Sequence, residues 1–494
     1  MLELKKLQNC SLPNYDRSQL KTGILHIGIG AFHRAHQVYY VDKLLNCNDK
    51  DALNWGYISG TIRSNKKLID NLRLNDCMYT LSTNDENGTS NKIIGALKEV
   101  YFAGNGQSQG LIDKIRTKEI KIITYTVTEK GYYVDLSTQK LNLESPDIIY
   151  DLKNFNTPKT AIGITVAGLY KRWQENGHPA TLLSCDNMPN NGKILKQAIL
   201  DFSNKIDKNL VSWIKSNCSF PNSMVDRIVP AVTEQTIENI ATMIGQKDLS
   251  AVATEKFSQW VIEDKFANGR PTLEKVGVEF VKDIEPFEKL KLTMLNGSHS
   301  LIAYLGAYAG LKTVDEVIAK PEFYNFIKKY MLEIAAPLVD GLPENVSTLE
   351  YANKLLHRFA NPHLKHKTEQ IAMDGSKKIS QRWLGSLKKL IQNNHKFDII
   401  AVGLAGWILF NSGKNEIGES VGISDPLEEK YFFIYQKNST IEKIVNEFIN
   451  LEEIFSKELS TNKILVEKVI YYTKKISSKG VLQVIKTFKF RGIK

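Results

Sequence analysis

The apolar rhythm of this 494-residue chain changes near residues 283–288, and that change constrains its fold more than any other feature. Upstream, residues 23–29, 55–62, 120–128 and 180–184 are short apolar, β-branched-rich runs that read as buried strands, with a helical pattern over 32–45. Strands separated by helices predict a parallel sheet with crossover helices. Downstream the pattern is helical throughout, over 287–308, 315–335, 348–359, 381–393, 398–411, 439–450 and 463–477. The expected architecture is therefore an α/β domain over residues 1–285 followed by a mostly α-helical domain over 286–494. Each part is long enough to bury its own core.

Composition narrows the class. At 42% hydrophobic and 24% charged residues the chain is neither disordered nor fibrous. Cys10, Cys47, Cys77, Cys185 and Cys218 are scattered, without a CxxC pair or a Cys/His cluster, so neither a metal site nor a disulfide framework is expected. Reduced thiols point to a cytoplasmic protein. The first 24 residues carry no apolar h-region, so no secretory signal is expected. The apolar stretches 301–311 and 399–410 fall short of the ~20 residues of a membrane span. The net charge of +11 resides mainly in residues 463–494, which hold nine Lys or Arg against Glu467. No nucleic-acid-binding motif accompanies that tail, and a solvated helical face is the simpler account.

The run 23–29 leads into Gly28-Ile29-Gly30-Ala31-Phe32-His33-Arg34 and a helix. A strand, a tight glycine turn and a helix start form an anion site suited to a pyrophosphate. His33 stands where a GxGxxG fingerprint has its third glycine, so an ordinary βα turn is the other reading. The second strand is expected to end in an acid that binds the ribose 2′-hydroxyl. Residues 59–67 instead offer Arg63, Lys66 and Lys67 and no carboxylate, which suits NADP(H) or is simply a solvated basic loop.

The helical pattern over 287–308 carries Lys291, Asn296 and His299. At ~100° per residue they stand at about 0°, 140° and 80° on one half of an otherwise apolar helix. Buried polar groups need partners or a cavity. A lysine with its pKa depressed by burial can serve as a general base, and a neighbouring amide can donate to a developing alkoxide. A surface lysine beside two satisfied core polar residues is the alternative. A second polar string, residues 184–192, follows a short strand, where α/β folds bind ligands, although it also reads as plain turn chemistry.

Together these motifs resemble the mannitol dehydrogenase family, the long-chain polyol and sugar-acid dehydrogenases. The resemblance rests on Gly28-x-Gly30-Ala31-Phe32-His33-Arg34-Ala35-His36, Thr126-Val127-Thr128-Glu129-x-Gly131-Tyr132, Cys185-Asp186-Asn187-Met188-Pro189 and Asn222-Ser223-Met224-Val225-Asp226-Arg227. It continues through Gln259-Trp260-Val261, Gly269-Arg270-Pro271 and Lys291-x4-Asn296-x2-His299, covering nearly the whole chain. It implies a Rossmann-type NAD(P)-binding domain, a helical C-terminal domain and a site between them. It also implies metal-independent hydride transfer between a nicotinamide cofactor and a secondary alcohol. Lys291 would be the general base, Asn187 and Asn296 the oxyanion-stabilising pair, His299 the orienting group, and Asp226 a substrate-hydroxyl ligand. Gly28, Gly30, Ala31, Phe32, His33, Arg34 and Arg63 would hold the cofactor. Glu129 would join them as a cofactor-binding residue and, following a predicted strand near the same cleft, would help pass the proton from Lys291 to solvent.

For the substrate, the segment His366-Lys367-Thr368-x-x-Gln-Ile-Ala-Met-Asp-Gly-Ser is similar to the mannonate oxidoreductase (fructuronate reductase) branch. Gln370 stands where mannitol-type members carry arginine. His366, Lys367 and Lys378 could supply cations for a sugar-acid carboxylate. The expected function is thus NAD(H)-dependent interconversion of D-mannonate and D-fructuronate, with NADP(H) left open. Mannitol 2-dehydrogenase or another polyol dehydrogenase is the alternative. A non-catalytic dinucleotide- or nucleic-acid-binding protein is a third reading. The expected partner is a small-molecule sugar acid or polyol, with no nucleic acid or membrane, and the chain would be a monomer or weak oligomer.

Overall fold

The computed structural model describes residues 2–488 except 64, 86–87, 136–137, 176, 345 and 363–364. The end of the basic tail, 489–494, therefore lies outside the described residues, as does one position of the basic loop after residue 62. The chain divides into two compact units, Met1–Ile284 and Glu285–Lys494.

In the first unit, among the described residues, one sheet has six parallel strands: β1 (Thr22–Ile27), β2 (Gly56–Thr61), β3 (Leu97–Phe102), β4 (Ile122–Tyr125), β5 (Ala180–Ser184) and β6 (Cys218–Ser219). Their order is β3-β2-β1-β4-β5-β6, and every neighbouring pair is parallel. This is the doubly wound dinucleotide-binding order. It reverses between β1 and β4, so a crevice opens at the carboxyl ends of those strands. Ile24, Leu25, Ile27, Ile122, Ile123, Leu182 and Leu183 are all buried, as expected for a sheet covered on both faces. Helices Gln109–Arg116, Ala161–Glu175 and Asn191–Ile206 lie along the chain between or after these strands.

Several boundaries differ from the sequence expectation. The helix expected over 32–45 is broken at His36 (φ −124°, ψ −78°) into Ala31–Ala35 and Gln37–Leu45. The run 120–128 is a strand only to Tyr125, because Thr128 takes φ +64° and turns the chain across the sheet's end. Two further sheets carried no clear sequence signal. One joins Cys10–Ser11, Gly88–Ile94, Tyr79–Asp85 and Val252–Glu255, and the other joins Ser223–Asp226, Gln259–Glu263 and Glu279–Val281.

The second unit is helical. Its centre pairs α1 (Gly297–Tyr308) with α2 (Asp398–Phe410), each apolar around nearly its whole circumference and almost wholly buried. A Cβ on Gly406 would lie 2.4 Å from Leu305, so glycine permits this close approach. The pattern expected as one helix over 287–308 is three pieces: Glu285–Leu290 is α-helical, Lys291–Asn296 is π-helical, and α1 follows. Two other expected helices also contain π-turns, at Tyr330–Ala335 and Ser380–Leu384. Among the described residues no helix is long and apolar enough to cross a membrane.

Candidate active site

In the first unit the crevice is built on Gly28. It has φ +114°, and a Cβ there would lie 2.1 Å from the Thr126 carbonyl oxygen, so no other residue fits. Gly30 differs: a Cβ at that position would have its nearest neighbour 3.9 Å away, which leaves its face open to an approaching ligand. Ala31 and Phe32 follow on the first helical turn, partly exposed.

Beneath the turn lies a layer of histidines. His26 and His33 stack with ring centroids 3.4 Å apart and planes 2° from parallel. His26 meets Thr124 Oγ1 (2.7 Å) through Nδ1, and the Gly28 carbonyl (3.1 Å) and Thr126 Oγ1 (2.8 Å) through Nε2. His33 meets Ser59 Oγ (2.9 Å) and Gln37 Oε1 (3.2 Å), and the Gln37 amide continues to His36 Nδ1 (3.0 Å). One set of neutral tautomers satisfies every contact: Nε2–H on His26 and His36, Nδ1–H on His33. Burial holds His26 down to about 3 and His33 well below the usual imidazole value. The expectation that His33 and Arg34 reach the cofactor is thereby corrected at the side-chain level. His33 is fully buried under the turn, and Arg34, also buried, donates to the Ser250 carbonyl and lies over Tyr79.

Arg63, just beyond β2, is exposed but paired: it donates to Asp147 Oδ2 (2.9 Å) and to the Tyr133 hydroxyl. Lys66 is paired with Asp70. The basic loop is thus largely neutralised by its own surroundings.

After β5, Asp186 accepts from the backbone N–H groups of Val127 and Thr128 (2.9 Å each) and from the Tyr132 hydroxyl (2.7 Å). It ties the loop after β4 to the loop after β5 and stabilises Thr128 in a conformation rare for a β-branched residue. Thr128, Glu129, Lys130, Asp186 and Asn187 line a cleft of about 510 Å³. Asn187 is exposed there. Asp226 is buried at the end of its strand, opposite Gln259. Asn191, inside the polar string 184–192, links these parts: its amide donates to the Asp186 and Ser223 carbonyls (3.0 and 2.7 Å) and its oxygen accepts from the Ser223 N–H (3.0 Å). The sequence singles it out only as one asparagine among several in that string.

In the second unit Lys291 is 7% exposed, while Asn296 and His299 are half-buried. The π-turn changes their expected angles. Under i→i+5 hydrogen bonding, residue i+5 stands roughly where i+4 stands in an α-helix. Asn296 then lies about 40° from Lys291 instead of about 140°, and His299 about 20° to the other side. The three groups therefore share one narrow face.

His299 packs on Phe359 (4.7 Å between ring centres) with His366 edge-on at 6.0 Å. Among the described residues His366 Nδ1 is buried without a hydrogen-bond partner. Burial and the charges of Arg358 and Lys378 hold His366 below its usual range. Lys378 donates to the Ile371 carbonyl (3.0 Å), and burial, then the Arg382 charge, lowers it to about 8. Among the described residues no carboxylate ion-pairs with Lys378. Lys367 and Gln370 are exposed. No group of three or more His, Cys, Asp or Glu among the described residues is placed to hold a metal ion.

Comparison with known proteins accounts for both units. The family model of the mannitol dehydrogenase Rossmann domain matches residues 22–275, and that of the mannitol dehydrogenase C-terminal domain matches 283–477. The chain is 38% identical over 475 residues to D-mannonate oxidoreductase of Escherichia coli K12, covering 96% of this chain and 97% of that one. It is 38% identical over 431 residues to mannitol 2-dehydrogenase of Phaeosphaeria nodorum, covering 86% and 75%. Among solved structures it is similar to Pseudomonas fluorescens mannitol 2-dehydrogenase in ternary complex with NAD and D-mannitol, with a TM-score of 0.83, 34% identity and 98% coverage of each chain.

Proposed function

The chain belongs to the mannitol dehydrogenase family, and from that premise we propose that it interconverts D-mannonate and D-fructuronate with NAD(H). The observation that carries the substrate assignment is the cationic cluster of the second unit. Burial lowers both Lys378 and His366; the Arg382 charge lowers Lys378 further, against Asp374 and Asp425 which raise it, and the Arg358 and Lys378 charges lower His366 further. A sugar-acid carboxylate would add a negative charge beside Lys378, which a neutral hexitol cannot.

The first unit fits a dinucleotide. The turn at Gly28, the open face of Gly30 and the crevice where strand order reverses are the parts such a ligand requires. With Arg63 already held by Asp147 and Tyr133, the loop after β2 favours NAD(H) over its 2′-phosphorylated form. Bound there, the nicotinamide supplies or accepts the hydride. The chain's own residues handle the proton and the charge. Lys291 takes the hydroxyl proton during oxidation and returns it during reduction. Asn296 and Asn187 donate to the oxygen as it becomes an alkoxide. His299 orients the hydroxyl, Asp226 accepts from a further substrate hydroxyl, and Glu129 moves the proton onward to solvent.

Mannitol/fructose chemistry is the second reading, favoured by the equal identity to a mannitol 2-dehydrogenase. A spectrophotometric panel of fructuronate, tagaturonate, fructose and xylulose against NADH and NADPH separates the two. Fructuronate with NADH is expected to give the highest kcat/KM. Lys378→Ala is expected to lower kcat/KM for fructuronate by about a hundredfold while changing fructose reduction less than about threefold, the difference expected for one charge-assisted hydrogen bond. Equal losses on both substrates would remove the carboxylate role.

A further inference from the structure

The three polar groups assigned to chemistry in the second unit draw together on one narrow face, rather than spreading over half a helix, because Lys291–Asn296 is a π-turn, and such a turn does not hold itself. The Gly297 N–H is shared between the Leu292 carbonyl, five residues back, and the Met294 carbonyl, three back, and passes over that of Thr293. The α-helix that follows resumes four-residue spacing. Between the two registers the Thr293 carbonyl is skipped, and a buried carbonyl without a donor is costly.

The structure supplies that donor from elsewhere. The fully buried Tyr330 hydroxyl donates to the Thr293 carbonyl at 2.9 Å. Gly297 makes room for it: a Cβ there would lie 2.1 Å from the Tyr330 oxygen. On the same stretch Trp383 Nε1 donates to the Gly297 carbonyl (3.1 Å), and Arg382 Nη1 donates to the Asn296 carbonyl (3.3 Å) and Ser300 Oγ (2.9 Å). At the entry, Thr293 Oγ1 covers the Lys289 carbonyl (2.8 Å). Tyr330 opens one of the other π-turns, and Arg382 and Trp383 lie within the third.

We infer that Tyr330, Arg382 and Trp383, with the space left by Gly297, form a clamp that holds Lys291–Asn296 in the π register, and that they are positioning residues for the Lys291, Asn296 and His299 face. The inference rests on the catalytic reading of Lys291 given above. Without the clamp the segment relaxes toward α-helical spacing, and Asn296 rotates about 100° away from Lys291. The residues do not touch substrate; they act on kcat through the relative placement of base and amide.

The test uses the full chain. Tyr330→Phe removes only the hydroxyl donor, while Trp383→Phe removes the indole N–H together with part of a buried ring, so Tyr330→Phe is the cleaner of the two. Gly297→Ala raises helix propensity yet displaces the Tyr330 hydroxyl. Each variant is expected to lower kcat about tenfold or more, leave the KM for NADH within about twofold, and move the pH–rate profile, since the surroundings of Lys291 change. Amide hydrogen exchange over residues 291–297 is expected to quicken in each. Arg382→Lys is expected to recover activity relative to Arg382→Met. If the phenylalanine variants keep the wild-type pH profile and exchange rates, or lose activity only in proportion to lost folded protein, the clamp is overturned. Lys291→Ala run in parallel keeps the two ideas apart. Full activity in that variant removes the lysine from the mechanism, whereas the exchange measurement still decides whether the clamp exists.

Discussion

Arg63 is charged, exposed and placed where this fold reads the adenosine ribose, so by residue type alone it argues for a 2′-phosphate. Its partners reverse that argument. Asp147 takes one guanidinium nitrogen at 2.9 Å, shares the Tyr133 hydroxyl and is also bound by Lys159 at 3.0 Å. A guanidinium already held by a carboxylate gains little from a second anion. Asp147→Ala is therefore expected to raise the ratio of kcat/KM for NADPH over NADH by about tenfold, the effect of roughly 1.4 kcal/mol. The check is steady-state kinetics with both coenzymes at low ionic strength, where the difference is expected to be largest. An unchanged ratio would mean that Arg63 does not meet the coenzyme.

At the scale of elements, the glycine turn and the π-turn show what a sequence exposes and what it hides. Gly28 and Gly30 look alike in the string GIG but do different things, and two alanine substitutions separate them. Gly28→Ala forces a side chain into φ +114° and against the Thr126 carbonyl, so it is expected to lower Tm by several degrees and abolish NADH binding. Gly30→Ala has ordinary backbone angles (φ −81°) and open space, so Tm is expected to hold while the Kd for NADH rises about tenfold. Calorimetry and fluorescence titration measure the two effects. Four of the six strands of the parallel sheet are legible because apolar runs bounded by polar turns have few other uses, whereas Leu97–Phe102, with Lys98 and Glu99 inside it, and the two-residue Cys218–Ser219 carry no such run. Lys291, Asn296 and His299 were legible because polar groups stand out on an apolar helix. The π-turn was not, since its register is decided by hydroxyl and guanidinium donors 37 and 86 residues away in the chain. Nor was the inward turn of His33: GxGxxH reads as a phosphate loop, and only the stacked His26, with Ser59 and Gln37 around it, shows the imidazole spent on support.

The whole molecule feels that support as a dependence of stability on pH. A histidine kept neutral by burial binds fewer protons folded than unfolded. Its contribution is therefore complete above its unfolded value, near 6.5, and is lost as pH falls toward its folded value. For His26 that window runs from 6.5 down to about 3, and His33 adds a shift of the same sign. Buried carboxyls in the same unit pull the other way. Burial raises Asp151, Asp186 and Asp248, so the folded state holds protons there that the unfolded chain has released above its ordinary 3.8. Total stability against pH is thus a sum of opposed slopes, and the histidine part has to be read as a difference. His26→Asn removes one titrating group and keeps a polar side chain of similar reach. Stability of the wild type minus that of His26→Asn, from urea unfolding followed by the indoles of Trp55 and Trp260, is expected to fall by up to about 1.4 kcal/mol per pH unit between pH 6 and 4.5. The same difference followed through Trp383 or Trp407 of the second unit, each alone in a single-tryptophan background, is expected to be near zero, since His26 belongs to the first unit. A flat difference in the first unit would show that the stacked imidazoles accept a proton without cost, and the neutral network beneath the glycine turn would have to be redrawn.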